Sequence, residues 1–371
     1  FTSLDKKTTV TKCTNAININ SQITGSDGVV IGGIATSAEN PFSSCTNKGK
    51  ISFSGTGIWT SSVSVAGIAG SSIGNLKLTK CVNSGPISVT IEKAMEEYSA
   101  MDYVRVIGLA PEAGATSSGN SGKITVTLKK GAQTNNVTVA GLIESLGSGV
   151  SNKIVPVTKC YNKGAITLEG SSWKPSSATR SIDVAGVIAS AYAAKGVKKP
   201  VSQCYNKGAV KVSIGARFAN VGGICAEFSS AIFSDNYNAG AISGKGNMFL
   251  GGLVGSASMV GKPKEGVVME KNYNVGKVSL SGTKANYKHL KPGAITGNVE
   301  GMDIAATRSV YDNYYTSGKP YPQSNVTWKA WVAKGVKVGS ITSGNCPKLS
   351  SKTWTYSSKY KRLVLKANKE K

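Results

Sequence analysis

The chain has 371 residues, 44 Lys+Arg against 19 Asp+Glu, and a formal net charge of +25. Hydrophobic residues make up 40%, too many for a disordered basic tail, and no run approaches the roughly 18 apolar residues of a membrane helix. The 44 glycines come to about 12%, against a usual share of roughly 7%. With Val, Ile, Thr, Ser and Asn abundant and helix formers sparse, they predict strands and turns.

The chain opens on Phe1, which points to a processed or excised product. Residues 1–10 are short and polar and predict no cap for that end. From Cys13 onward a pattern recurs, Cys/Asn-x-Asn-x-Gly-x-Ile/Val. It reads Cys45-Thr-Asn47-Lys-Gly49-Lys-Ile51, then returns around Asn83, Asn162, Asn206, Asn238 and Asn274, with degenerate copies at Cys13-Thr-Asn15, at Asn120 and at Asn313. The central Asn falls at 15, 47, 83, 120, 162, 206, 238 and 274, in steps of 32 to 44 residues. A second pattern alternates with it, an apolar-Gly step: Ile31-Gly-Gly33-Ile, Val65-Ala-Gly67-Ile, Val106-Ile-Gly108-Leu, and onward to Leu250-Gly-Gly252-Leu.

Asn-x-Gly is turn chemistry, because Asn tolerates left-handed backbone and Gly takes positive φ without a Cβ penalty. The residues after it alternate, as in Ile87-Ser-Val89-Thr-Ile91, which predicts a strand with one buried face. The apolar-Gly step reads as a more buried strand whose Gly allows close backbone approach. Residues 92–97 alone read as a helical turn. A two-strand unit cannot bury both faces by itself, whereas stacked copies share a continuous core. The fold class is therefore all-β, a parallel β-helix or β-solenoid of about eight repeats over residues 1–318. A β-propeller is the alternative, although it usually needs four strands per blade. Residues 319–371 break the pattern and carry Trp328, Trp331 and Trp354. They read as a C-terminal cap that plugs the last coil.

Asn-Tyr-Asn-x-Gly paired with Leu250-Gly-Gly-Leu-Val-Gly255 resembles the GLUG-motif family of bacterial surface and adhesin-type proteins. The resemblance covers residues 13–318, and Trp354 with Tyr360-Lys-Arg-Leu-Val-Leu365 looks like the end of such arrays. It implies a secreted or surface-attached repeat scaffold and carries over no catalytic residue. Cys at the pattern start and the strong positive charge depart from it, which leaves the partner open.

Five of the seven Cys (13, 45, 81, 160 and 204) share one slot of the first pattern, and Asn236 and Asn272 fill that slot later. Exchange with Asn favours free buried thiols; a Cys160–Cys204 bridge is the runner-up. No Cys-x-x-Cys occurs and His289 is the only histidine, so neither a metal, a cofactor nor a catalytic triad is expected. The acids look scattered. A polysaccharide lyase working with Lys, Arg or Tyr is the enzymatic alternative, without a constellation to carry it.

Lys recurs at 48, 163 and 207, and again at 50, 211 and 277, where stacked like charges must face water or an anion. The variable loops hold Trp59, Trp173 with Lys174 and Arg180, Arg217, and Lys284 with Tyr287. Ring faces beside cations suit a sugar or acidic polymer; the plainer reading is that each aromatic folds over its loop and shields the core. The expected function is an adhesin-like scaffold, extracellular or at the cell surface. It would present a cationic loop face to an acidic glycan or a surface protein, with self-association or a partner at the N-terminal end. A structural subunit of a surface assembly is the alternative to that. No nucleic-acid signature or membrane span is read.

Overall fold

A computed structural model describes residues 9–26, 28–58, 62–72, 76–93, 101–132, 134–146, 154–173, 181–192, 197, 199–215, 218–229, 231–258, 268–282, 290–300, 310–320, 335–368 and 370. Every regular element among them is a strand. All strand pairs are parallel except one C-terminal hairpin, so the chain is a parallel β-solenoid and the propeller is excluded. Each repeat forms one coil. The second coil runs through Phe42–Ser43, Thr46–Asn47, Ile51–Ile58, Val63–Ala66 and Ala69–Ser72. Five short strands per coil replace the two-strand unit that the two sequence patterns suggested. Residues 92–93, read as helical, finish the strand Ile87–Lys93; residues 94–97 lie outside the described set.

The two sequence patterns are two sides of one contact. Stacked in register, the pattern asparagines form a ladder in which each Nδ2 donates to the Oδ1 of the next at 2.7–2.8 Å, from Asn15 to Asn274. The same Nδ2 donates to a carbonyl two residues on, for example Asn47 to Gly49 at 3.0 Å. Opposite the ladder lies the Gly of the apolar step. A Cβ on Gly33, Gly67, Gly141, Gly186, Gly223 or Gly252 would stand 2.5–2.8 Å from an Asn side-chain Cγ. Asn and Gly thus pinch the coil at its waist and divide the interior into two apolar lobes. One holds Ile51, Val65, Val89 and Leu128; the other holds Ile68, Leu109, Phe228 and the slot cysteines.

The Gly of Asn-x-Gly serves a different purpose from the one its turn chemistry suggested. None of Gly49, Gly85, Gly122, Gly164, Gly208, Gly240 and Gly276 has positive φ. Each lies against the preceding coil, where a Cβ would overlap a backbone carbonyl oxygen. The left-handed residue is instead the one before the Cys/Asn slot. Lys12, Ser44, Lys80, Ser117, Lys159, Gln203, Asp235, Lys271 and Asp312 all have φ of 53–58°. The slot itself is a ladder of donors. Cys160 Sγ reaches Ala115 O and Cys204 Sγ reaches Val157 O, while Asn236 and Asn272 Nδ2 make the equivalent bonds to Val201 O and Phe233 O. Cys and Asn exchange there because both donate to the same carbonyl. All seven cysteines are free, and burial pushes the thiols of Cys160 and Cys225 well up.

Of the segment read as a cap, Trp328 and Trp331 lie outside the described residues, and the part from Trp354 on lies along the flank. Gly335–Lys337 extends the asparagine sheet beyond Asn313–Tyr315. The hairpin Trp354–Ser357 and Arg362–Leu365 then folds back over a column of tyrosines. Tyr161, Tyr205, Tyr237 and Tyr273 stack with centroids 5.6, 5.1 and 4.8 Å apart. Trp354 packs on Tyr237 and Tyr273. Glu370, fully buried, accepts from Tyr237 Oη at 2.6 Å, Lys207 Nζ at 2.9 Å and Arg362 Nη2 at 2.8 Å. This strap covers the later coils and leaves the same flank of the earlier ones open.

Candidate functional site

Where the strap ends, the flank is cationic. Residues 11–18, 43–50, 79–86, 116–123 and 158–165 form its corner in the first five coils. They contain Lys12, Lys48, Lys50, Lys80, Lys123, Lys159 and Lys163 and not one Asp or Glu. All but the half-buried Lys163 are exposed. Lys12, Lys80 and Lys159 come from the left-handed column in odd coils, and Lys48, Lys50 and Lys123 from the even ones. The column lysines are two coils apart, about 9–10 Å, so like charges are not direct neighbours. Lys163 lies next to Lys207; burial, with that neighbour's charge, lowers its pKa. The register differs from the sequence reading in one respect. Lys211 pairs with Thr167 and Ser243, so it belongs to the long-strand face and not with Lys50 and Lys277. Lys207 is taken by Glu370.

A second cluster lies outside the waist, where the strand entering the Gly step and the strand leaving it fold against each other. Arg105, Thr138, Asp183 and Asn220 occupy one register position on the incoming strands. Glu112, Ser145, Ser190 and Glu227 occupy one on the outgoing strands. Arg105 Nε is 2.9 Å from Glu144 Oε1, Asn220 Nδ2 donates to Asp183 Oδ1 at 2.9 Å, and Tyr192 Oη donates to Glu227 Oε2 at 3.1 Å. Ala66, Ile107, Ala140 and Ala189 form an apolar patch at the same fold. Burial pushes Asp183 up to about 7 and also raises Glu144. Sequence reading missed this group, because acids 30 to 45 residues apart look scattered until the register is known. The signal was their common offset from the Gly step. With Arg105 paired to Glu144 and Asp183 uncharged below about 7, Glu112 and Glu227 leave this fold acidic, so it repels an anionic polymer. Among the described residues no group of three or more His, Cys, Asp and Glu could hold a metal ion, and no helix is long and apolar enough to cross a membrane.

The long strands turn a third surface outward, a polar face with Ser52, Ser54, Ser88, Thr90, Thr125, Thr127 and Thr167 in two columns. A shallow depression at its start is lined by Asn20, Gln22, Ser52, Ser54, Ser88 and Thr90.

Of the residues singled out as a binding face, Trp59, Lys174, Arg180, Arg217, Lys284 and Tyr287 lie outside the described residues, as does His289. In sequence, those six fall between the long strand and the following strand of their coils, so they belong to the same connection. Trp173 is described, and it is 1% exposed. Its Nε1 donates to Ala132 O at 2.9 Å and its ring joins the lobe of Ile166 and Leu168. It shields the core and offers no ring face to a ligand. Phe218, 39% exposed, stacks on Phe249 of the next coil at 5.7 Å.

No family model, curated protein or solved structure matches the chain.

Proposed function

We propose that the chain is a secreted or cell-surface binding module whose uncovered lysine flank holds an acidic glycan. The carboxylate-free corner of the first five coils is the observation that carries this reading. The asparagine ladder fixes the coil backbone, so no backbone has to be ordered to bring the lysines together on binding. Their periodic spacing along the axis suits a linear polymer with regularly placed anions. The acidic fold between the incoming and outgoing strands disfavours a uronate there, which leaves the lyase alternative without support from a described site. A surface protein with an acidic stripe would meet the flank through the same charges.

The test is retention on immobilised polygalacturonate, compared with neutral dextran. Replacing Lys48, Lys80, Lys123 and Lys159 together by Ser is expected to abolish retention while leaving the far-UV spectrum unchanged. Binding by the parent chain should weaken steeply with salt, because exposed charges are screened over about 8 Å at physiological ionic strength. Equal retention of parent and variant would remove the reading.

A further inference from the structure

Where the strap meets the lysine flank, the corner already holds one carboxylate, and it comes from the chain itself. Glu370 Oε1 accepts from Tyr237 Oη at 2.6 Å and from Arg362 Nη2 at 2.8 Å, and Oε2 accepts from Lys207 Nζ at 2.9 Å. Tyr161 pairs with Tyr205 and Asn162 with Asn206, which sets Lys163 of the flank beside Lys207 in the next coil. The flank therefore runs directly into the place where Glu370 sits.

That place has more donors than acceptors. Lys207 Nζ, Arg362 Cζ and Lys359 Nζ gather round the Tyr360 ring, at 3.9, 5.1 and 5.3 Å from its centroid. Lys163 feels the charges of Lys207, Lys359 and Glu370, so four cations share one neighbourhood. Among the described residues, Glu370 is the one carboxylate paired with any of them. Two buried donors of the group, Tyr205 Oη and Arg362 Nε, have no acceptor. Tyr205 is wholly buried, and its ring stacks on that of Tyr237 at 5.1 Å. Its hydroxyl thus lies about one coil from the hydroxyl that serves Glu370. A buried donor without an acceptor is a standing cost to the fold.

The strap does not depend on Glu370 for its position. Trp354 packs on Tyr237 and Tyr273, Leu363 O accepts from Tyr273 Oη, and Asn368 Nδ2 donates to Gln203 O at 3.2 Å. Each of these strap residues precedes Glu370, so the carboxylate can leave while the hairpin stays.

We infer that Lys163, Tyr205, Lys207, Tyr237 and Arg362 form a binding site for a uronate, with Glu370 as its internal competitor. The identity of the ligand rests on the glycan reading of the flank. A uronate carboxylate takes over the three bonds that Glu370 accepts, so the exchange replaces like with like. Beside that carboxylate a uronate carries ring and hydroxyl oxygens that a glutamate side chain lacks. One of these supplies Tyr205 Oη with its missing acceptor, and Lys163 adds its charge from the same coil edge. A site built to hydrogen-bond those oxygens prefers a sugar acid to a bare carboxylate.

Calorimetric titration of the full chain with trigalacturonate tests the inference. Glu370→Gln keeps an acceptor for Tyr237 and removes the competing charge. It is expected to bind on the order of tenfold more tightly than the parent chain, because the competitor no longer occupies the site. Glu169→Gln makes the same change of net charge on the long-strand face, and is expected to bind as the parent chain does. Tyr205→Phe, made in the parent chain and in Glu370→Gln, removes no hydrogen bond of the free protein. Its urea midpoint is expected to hold or rise while its affinity for the oligomer falls several-fold. A Glu370→Gln chain that binds no more tightly than Glu169→Gln overturns the inference, and so does binding that Tyr205→Phe leaves unweakened. Retention of the parent chain on the polymer reports on the flank as a whole, whereas these differences with a short oligomer report on this corner, so each can fail without the other.

Discussion

Glycine is used in this solenoid for absent volume, while the strained left-handed corners are given to lysine, serine and aspartate. Two substitutions of opposite sign follow. Gly141→Ala places a Cβ against Asn162 and the next coil's backbone, and is expected to destabilise by about 2–4 kcal/mol. Lys80→Gly removes a left-handed penalty of about 1–2 kcal/mol and adds unfolded-state freedom, for a net gain of about 0.5–1 kcal/mol. Urea unfolding midpoints decide both; a stabilised Gly141→Ala would contradict the waist contact. Asp183 gives a third expectation. Its carboxyl titrates at about 7 when folded, because burial disfavours the charge, against about 3.9 when unfolded. Between those values the native state keeps a proton that the unfolded chain has released, so stability falls as pH rises through this window. Relative to Asp183→Asn, the parent chain should therefore lose on the order of a few kcal/mol between pH 5 and pH 8. An unchanged difference between the two proteins at those pH values would refute the buried, protonated carboxyl.

At the scale of elements, legibility followed strand length. Ile51–Ile58, Ile87–Lys93 and Ile124–Gly131 are long enough to show a period of two, and they form the face that alternation predicted. Thr46–Asn47 and Phe42–Ser43 have two residues each and no period to read, so they merged with the turn. The same blurring misassigned Lys211 by hiding where the turn ends and the strand begins. The Gly of Asn-x-Gly was recognised as obligatory for the wrong physical reason, because a sequence records that Cβ is missing and not whether φ or a neighbouring carbonyl requires it. The tail's aromatics were read as a plug for an open core. Trp354 meets the tyrosine column, and the clue was positional: the slot that holds Thr14, Thr46 and Val82 in early coils holds Tyr161, Tyr205, Tyr237 and Tyr273 later. An aromatic column appears where the strap needs something to lie on. The acidic fold was illegible for a related reason, since its members share a register position but no local motif.

Across the whole molecule, each coil touches only its neighbours, apart from the strap. Stability should then be close to a sum of coil and interface terms, and the unit of tolerated change is a whole coil. The ladder supplies a ruler, because Asn47 and Asn83 are 36 residues apart and occupy the same register position. Deleting residues 48–83 joins Asn47 to Ser84, so that Asn47 stacks on Asn120. Ile19–Ser26 comes to lie beside Ile87–Lys93, and Val29–Gly32 beside the strand that ends at Ile107. No described ion pair is lost, and the strap, whose hydrogen bonds reach back to Lys207 and Gln203, is untouched. The shortened chain is expected to keep a β-rich far-UV spectrum and one cooperative urea transition at a lower midpoint. Deleting residues 48–65 instead removes half a coil, sets the Gly step where a long strand belongs and leaves Asn47 without its waist partner. That chain is expected to lose the cooperative transition. If the two deletions behaved alike, stacking in register would not be what holds this molecule together.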